Sequence, residues 1–205
     1  MAWLPKYRQV TLLLYIFVTI GASSVFANHF DVYKAITTDY DKNVLPVRSI
    51  SGPMVVSVEL TYFYLFSMDQ VQETITFHTD LEMSWKDENM GWKESKFGGT
   101  SKVVIPSSLL WKPDIYVMSG LSVEYMMPEE QRFVTVLSDG TVRLLKPCLI
   151  TNRCSLSVKT FPYDIQTCSI SLVSRMYSTD QIQLIIGKKR RSLNATVDDG
   201  HFYVS

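Results

Sequence analysis

His78, Asp80 and Glu82 stand at every second position of one stretch, a spacing that turns three metal-ligating or cation-attracting side chains to the same side of an extended strand. Same-face neighbours on a straight strand lie roughly 6.5 to 7 Å apart, so three of them converge poorly on one ion. The stripe therefore reads first as a solvated or interface face and only weakly as a metal site. Cys154 and Cys168 enclose thirteen residues with Phe161-Pro162-Tyr163-Asp164 at the centre, where proline fixes φ and aspartate accepts local backbone hydrogen bonds. The pair reads as a disulfide-closed loop, with two buried free thiols as the alternative. Cys148 is left over, as a buried free thiol or the donor of an intermolecular bond. Asn194-Ala195-Thr196 is an acceptor sequon for N-glycosylation, which belongs on a surface. An enzyme needs a nucleophile, a base and an orienting group, or a metal with an open position. His29, His78 and His201 lie in unrelated contexts and neither G-x-S-x-G nor H-E-x-x-H occurs, so the reading is not an enzyme, with no cofactor.

The elements that must position these groups are mostly strands. Met54, Val56, Val58, Leu60, Tyr62, Tyr64 and Phe66 form an unbroken alternate series, which predicts a strand with one strongly buried face. In the next run Ile75, Phe77, Leu81, Met83 and Trp85 share one face, while Thr74, Thr76, His78, Asp80, Glu82 and Ser84 share the other. Gly98-Gly99 and Pro106 punctuate the connection, and Ile115 to Met118 begins a short strand after Pro113. Phe133 to Leu137 and Thr141 to Leu145 flank Ser138-Asp139-Gly140, a hairpin signal, because glycine accepts positive φ. Ser155 to Val158, Cys168 to Val173 and Gln181 to Ile186 add further strands. Only 30–39 reads as a helix, with Phe30, Tyr33, Ile36 and Tyr40 on one face. The fold class is thus all-β, an antiparallel β-sandwich with a short N-terminal α-helix.

Residues 1-27 carry a basic start at Lys6 and Arg8, an apolar stretch from Val10 to about Ala22 and small residues before Asn28. That is the pattern of a signal peptide, with a signal anchor as runner-up. Residues 28-205 suit one domain. Without Lys6 and Arg8 the balance is two charges acidic, so nothing global recruits nucleic acid. Lys188-Lys189-Arg190-Arg191 reads as a solvated charge run.

The C-x13-C loop with F-P-Y-D at its centre resembles the signature loop of the Cys-loop, pentameric ligand-gated ion channels, nicotinic acetylcholine and serotonin receptors among them. Other pieces follow in order: Trp85-Lys86-Asp87 with Trp92 is similar to W-x-D-x-x-x-x-W, Trp111-Lys112-Pro113-Asp114 to W-x-P-D, and Tyr40-Asp41 with Pro46-Val47 to Y-D-x-x-x-x-P-V. An immunoglobulin-like module is disfavoured, because its intersheet cysteines are far more widely separated. The resemblance covers about 29–205 and implies an extracellular ligand-binding domain.

In that family a transmitter site resembles a box of aromatic rings at a subunit interface, whose faces attract a cationic amine. Here Met118 holds the position that often carries the first-loop aromatic, and Tyr116 stands two residues earlier. Arg175 holds a position where amine receptors usually carry tryptophan, with Tyr177 two residues on, and Asp80 replaces the partner-face aromatic. The resemblance therefore implies a divergent box, with Arg175 on the principal face and Asp80 and Glu82 on the complementary face of a neighbour. Two readings of Arg175 follow, an ion pair across that interface and a solvated side chain. The resemblance also implies a homo- or hetero-pentamer with related subunits, an exposed Phe161-Pro162 tip, and a ligand it does not identify. The capping hairpin, membrane helices and pore would belong to a longer parent chain, so membrane attachment and conduction are expected there and not from this chain alone. Expected localisation is the secretory pathway, then the extracellular face of the plasma membrane or secretion. A secreted non-channel binding or assembly-modulating protein of the same fold is the alternative.

Overall fold

The computed structural model describes residues 28–48, 52–156, 166, 168–187, 195–198 and 201–204, the last two segments as backbone. The expected signal peptide, the Phe161-Pro162 tip, the basic run from Lys188 and Asn194 all lie outside the described residues. Helix α1 spans 28–37. The strands are β1 (Met54–Asp69), β2 (Thr74–Lys86), β3 (Lys102–Pro106), β4 (Ile115–Val117), β5 (Gly120–Tyr125), β6 (Phe133–Leu137), β7 (Thr141–Arg153), β8 (Leu172–Ser174), β9 (Ile182–Ile186), β10 (Ala195–Asp198) and β11 (His201–Val204).

One sheet runs β3-β6-β7-β2-β1-β9, with β5 also paired to β7, and the other runs β10-β11-β8-β4. Alternation explains the core between them. In β2 the inward series Ile75, Phe77, Leu81, Met83 and Trp85 is buried while His78, Asp80 and Glu82 are half-covered, as the period-two pattern requires. Across the sheet Val58 opposes Met83, which opposes Leu144, and these rows meet Ile115, Val117 and Leu172 of the second sheet in one continuous core. Burying each large apolar side chain contributes about 1.5 to 3 kcal/mol, which is why the inward rows fix the register.

The expected sandwich is present, and three details differ from the sequence reading. First, the β1–β9 pairing is parallel, Met54 lying beside Ile182 and Val58 beside Ile186. Second, the alternate series of β1 loses its burial after Leu60: Tyr62, Tyr64 and Phe66 are 49%, 58% and 69% exposed. Between Leu60 and Phe63 β1 carries one residue more than β2, and beyond this bulge Phe63 and Leu65 are exposed as well, so neither face of this end of β1 is buried. Phe63 then stacks on Phe77, ring centroids 4.8 Å apart, while Tyr62 turns edge-on to His78. Third, α1 buries Val32 and Ile36, one helical turn apart, and leaves Phe30 exposed.

Two short runs also differ from expectation where they are described. Residues 155 and 156 are irregular, and 157–158 lie outside the described residues. Strand β8 begins only at Leu172, because Asn152 Nδ2 donates to Ser169 O and Ser171 N donates to Ser119 Oγ, drawing those backbone groups out of a ladder. The Ser138-Asp139-Gly140 hairpin forms as expected. Gly140 has φ +86°, Asp139 accepts from the Thr141 amide at 2.9 Å, and Asp87 N donates to Gly140 O at 2.9 Å. A Cβ on Gly140 would lie 2.5 Å from Asp87 O, so the close approach excludes any side chain there.

Cys154 and Cys168 are joined by a disulfide, Cα atoms 5.1 Å apart, and Cys148 is a buried free thiol. Burial, and secondarily the neighbouring Asp80, pushes the Cys148 thiol up to about 11 from its ordinary 9.0. The unfolded chain therefore loses this proton first, so the thiol's contribution is intact below the unfolded value and is lost as pH rises through the folded one. That window should remove about 2 to 3 kcal/mol of stability between pH 9 and 11, since each tenfold difference in proton affinity between folded and unfolded chain is worth about 1.4 kcal/mol. Tyr40 and Tyr125, also raised chiefly by burial, act in the same direction. Urea denaturation across this range should show a shallower decline for Cys148→Ala; an identical slope would refute the assignment.

Candidate functional site

Three motif fragments far apart in the chain are joined by one hydrogen-bonded train. Tyr40 Oη donates to Asp87 Oδ2 at 2.6 Å, and the Trp111 amide donates to the same hydroxyl at 3.1 Å. Trp111 meets Trp85 edge to face at 6.0 Å and Tyr177 at 5.8 Å. Its indole Nε1 donates to the Tyr177 hydroxyl at 3.0 Å. Trp85 and Trp111 are buried and Trp92 is partly buried, donating through Nε1 to Thr100 O at 2.7 Å. Large rings with a polar edge are accommodated in a core when that edge finds a partner, as those of Trp111, Trp92 and Tyr40 do.

This train ends at an exposed turn after β8. Asp114, directly before β4, accepts from Ser174 Oγ at 2.6 Å, from the Arg175 amide at 2.8 Å and from the Met176 amide at 2.6 Å. A carboxylate taking two backbone amides and a hydroxyl holds the turn in one shape. The turn presents Arg175, whose guanidinium carbon lies 4.8 Å from the Tyr116 ring centroid. Tyr116 and Met118 are exposed, and Tyr177 is partly buried against the core. Sequence reading identifies Asp114 only as a motif residue and misses its organising part; the signal is an acid directly preceding a strand start, with polar Ser174 and a turn elsewhere to receive.

Arg175 is exposed, and its guanidinium sits over a ring of its own chain. The candidates divide into two groups. Tyr116, Met118, Arg175 and Tyr177 gather on and around the β4–β8 edge of the four-stranded sheet. His78, Asp80 and Glu82 lie on the outward face of β2 in the larger sheet, where Tyr64 opposes His78, Pro147 opposes Asp80 and Leu145 opposes Glu82. The chain does not bring the two groups together. Among the described residues no three His, Cys, Asp or Glu side chains are placed to hold one metal ion, so the stripe runs along β2 without converging. No helix among them is long and apolar enough to cross a membrane.

The family model described as the neurotransmitter-gated ion-channel ligand binding domain matches residues 30–205. The chain is 30% identical over 169 residues to an acetylcholine receptor subunit alpha of Danio rerio, covering 82% of this chain and 37% of that one. It is 31% identical over 153 residues to the acetylcholine receptor subunit gamma of Homo sapiens, covering 74% and 29%. It is 25% identical over 186 residues to the neuronal acetylcholine receptor subunit alpha-3 of Bos taurus, covering 91% and 37%. The chain spans less than half the length of these relatives. With a match over nearly all of the described sandwich, the chain belongs to the family of neurotransmitter-gated ion-channel ligand binding domains.

Proposed function

We propose that this chain is the extracellular ligand-binding domain of a pentameric ligand-gated channel subunit, made in the secretory pathway and assembled with copies of itself or related subunits, with conduction residing in a longer parent chain. The observation that carries the reading of its site is Arg175 over Tyr116. A ring face of this kind attracts an ammonium group, and here the chain's own guanidinium stands on it. A free amine must displace that cation or bind beside it against like-charge repulsion; a carboxylate is drawn to it.

The site is therefore a divergent aromatic box that disfavours amine transmitters. Its carboxylate is either that of a ligand or that of Asp80 or Glu82 on a neighbouring subunit. Calorimetric titration separates the box from an ordinary one: Arg175→Trp should bind tetramethylammonium about tenfold more tightly than the unaltered chain, the scale of a desolvated cation–π contact. Equal affinities would count against the reading. Sedimentation tests the subunit contact. Arg175→Glu should weaken association, and adding Asp80→Arg or Glu82→Arg should restore it. Exposed ion pairs contribute only about 0 to 1 kcal/mol, so the effect requires an interface that excludes water. Assembly unaltered in every variant would refute the pairing.

A further inference from the structure

The inward positions of β7 run Val142, Leu144, Lys146, Cys148, Ile150 and Asn152, and a lysine interrupts what is otherwise a buried series. Lys146 opposes Leu81 of β2, on the core side of the sheet. The other edge of β7 is shared by two shorter strands, β6 beside 142–144 and β5 beside 148–152. The intervening stretch is crossed by 126–132, anchored where Met126 N donates to Pro147 O at 2.9 Å. A gap in strand pairing therefore lies next to an inward-facing cation.

Other cations converge on the same place. Arg132 is only 6% exposed, and its guanidinium donates twice to Met127 O and once to Glu129, the last at 2.7 Å. Lys112 pairs with the other oxygen of Glu129. The Tyr125 ring has the Arg132 guanidinium 4.7 Å and the Lys146 ammonium 5.7 Å from its centroid. Three cations thus face one carboxylate, and that carboxylate is committed to Lys112 and Arg132. Among the described residues no carboxylate forms an ion pair with Lys146. An aromatic face compensates a half-buried cation far less than an anion does. Consistently, burial and then Arg132 pull the Lys146 ammonium below its ordinary range, while Glu129 only partly opposes them.

We propose that the cation cluster of Lys146, Arg132 and Lys112 beside Tyr125, where neither β5 nor β6 pairs with β7, is a binding site for a small doubly charged oxyanion of the sulfate or phosphate class. Such an ion matches the surplus of two positive charges left by three cations and one carboxylate. It accepts from an ammonium and a guanidinium at once. The site is separate from the turn that presents Arg175 and does not depend on what binds there.

Calorimetric titration of the full chain with sodium sulfate, against sodium chloride at matched ionic strength, tests this. Saturable one-to-one binding of sulfate alone is expected. Lys146→Met should weaken it about tenfold, the loss of one charge-assisted hydrogen bond. Glu129→Gln should strengthen it, because it removes the competing carboxylate and frees Lys112 and Arg132. Lys86→Gln, from an exposed pair with Asp139, should leave it unchanged. If Lys146→Met does not fold, Glu129→Gln and Lys112→Gln, with opposite expected signs, decide the matter. Sulfate behaving like chloride, or one affinity across the Lys146, Glu129 and Lys112 variants, would overturn the proposal.

Discussion

Replacing Asp87 with alanine is expected to lower the stability of the sandwich by about 3 kcal/mol, because two donors lose an acceptor that is itself fully buried. Asp87 is fully buried and accepts from the Tyr40 hydroxyl at 2.6 Å and the Asn89 amide at 2.9 Å. Burial lifts its carboxyl above the ordinary range, and the hydrogen bond from Tyr40 pulls it part of the way back. The relief of a buried carboxylate offsets only part of the loss, since the Tyr40 hydroxyl is itself held by the Trp111 amide and is not free to turn toward solvent. Tyr40→Phe should cost about 2 kcal/mol, and the double variant should cost clearly less than the sum, as expected for residues in one network. Urea denaturation of the three variants measures this. Strict additivity, or a loss under about 1 kcal/mol for Asp87→Ala, would mean that the train is decorative.

Opening the disulfide with Cys154→Ser and Cys168→Ser together should cost about 3 kcal/mol, the loop-closure entropy of a segment of this length. The bond fastens the end of β7, where Cys154 N donates to Glu73 O at 2.8 Å, to the segment that enters β8. Because Cys148 is buried on the inward face of β7, it is not placed to substitute for either partner. Denaturation under non-reducing conditions should show the full difference and under reducing conditions none. A difference that survives reduction would point to packing instead of closure.

Much of this was legible in the residues. The inward rows of β2 and the first part of β1 follow from alternation alone, and the turn at Asp139-Gly140 follows from a φ that only glycine adopts freely. The bulge after Leu60 was not legible, because an added residue leaves the alternation of Tyr62, Tyr64 and Phe66 intact while their partners on β2 shift by one. Strands β3 and β5 are hidden in the sequence for different reasons. Lys102 to Pro106 is bounded by a lysine and a proline, and Gly120 to Tyr125 interleaves Gly120, Ser122 and Glu124 with its strand formers and is ordered by pairing with β7. At the site, residue types and motif spacing singled out Arg175 and Tyr116. That the guanidinium would settle on the ring depends on Asp114 fixing a turn about sixty positions away, which no local pattern reports.

The parallel pairing of β1 with β9 has a consequence for how the molecule is made. Met54 to Val58 leave the ribosome early, and their neighbours Ile182 to Ile186 emerge only after nearly all the intervening sandwich. Until then that side of the large sheet is an apolar edge whose backbone groups await a strand, which is the kind of surface that recruits other chains. Closure of the sheet therefore comes late, so a nascent chain that stalls before Ile182 presents an unpaired apolar strand to the chaperones of its compartment.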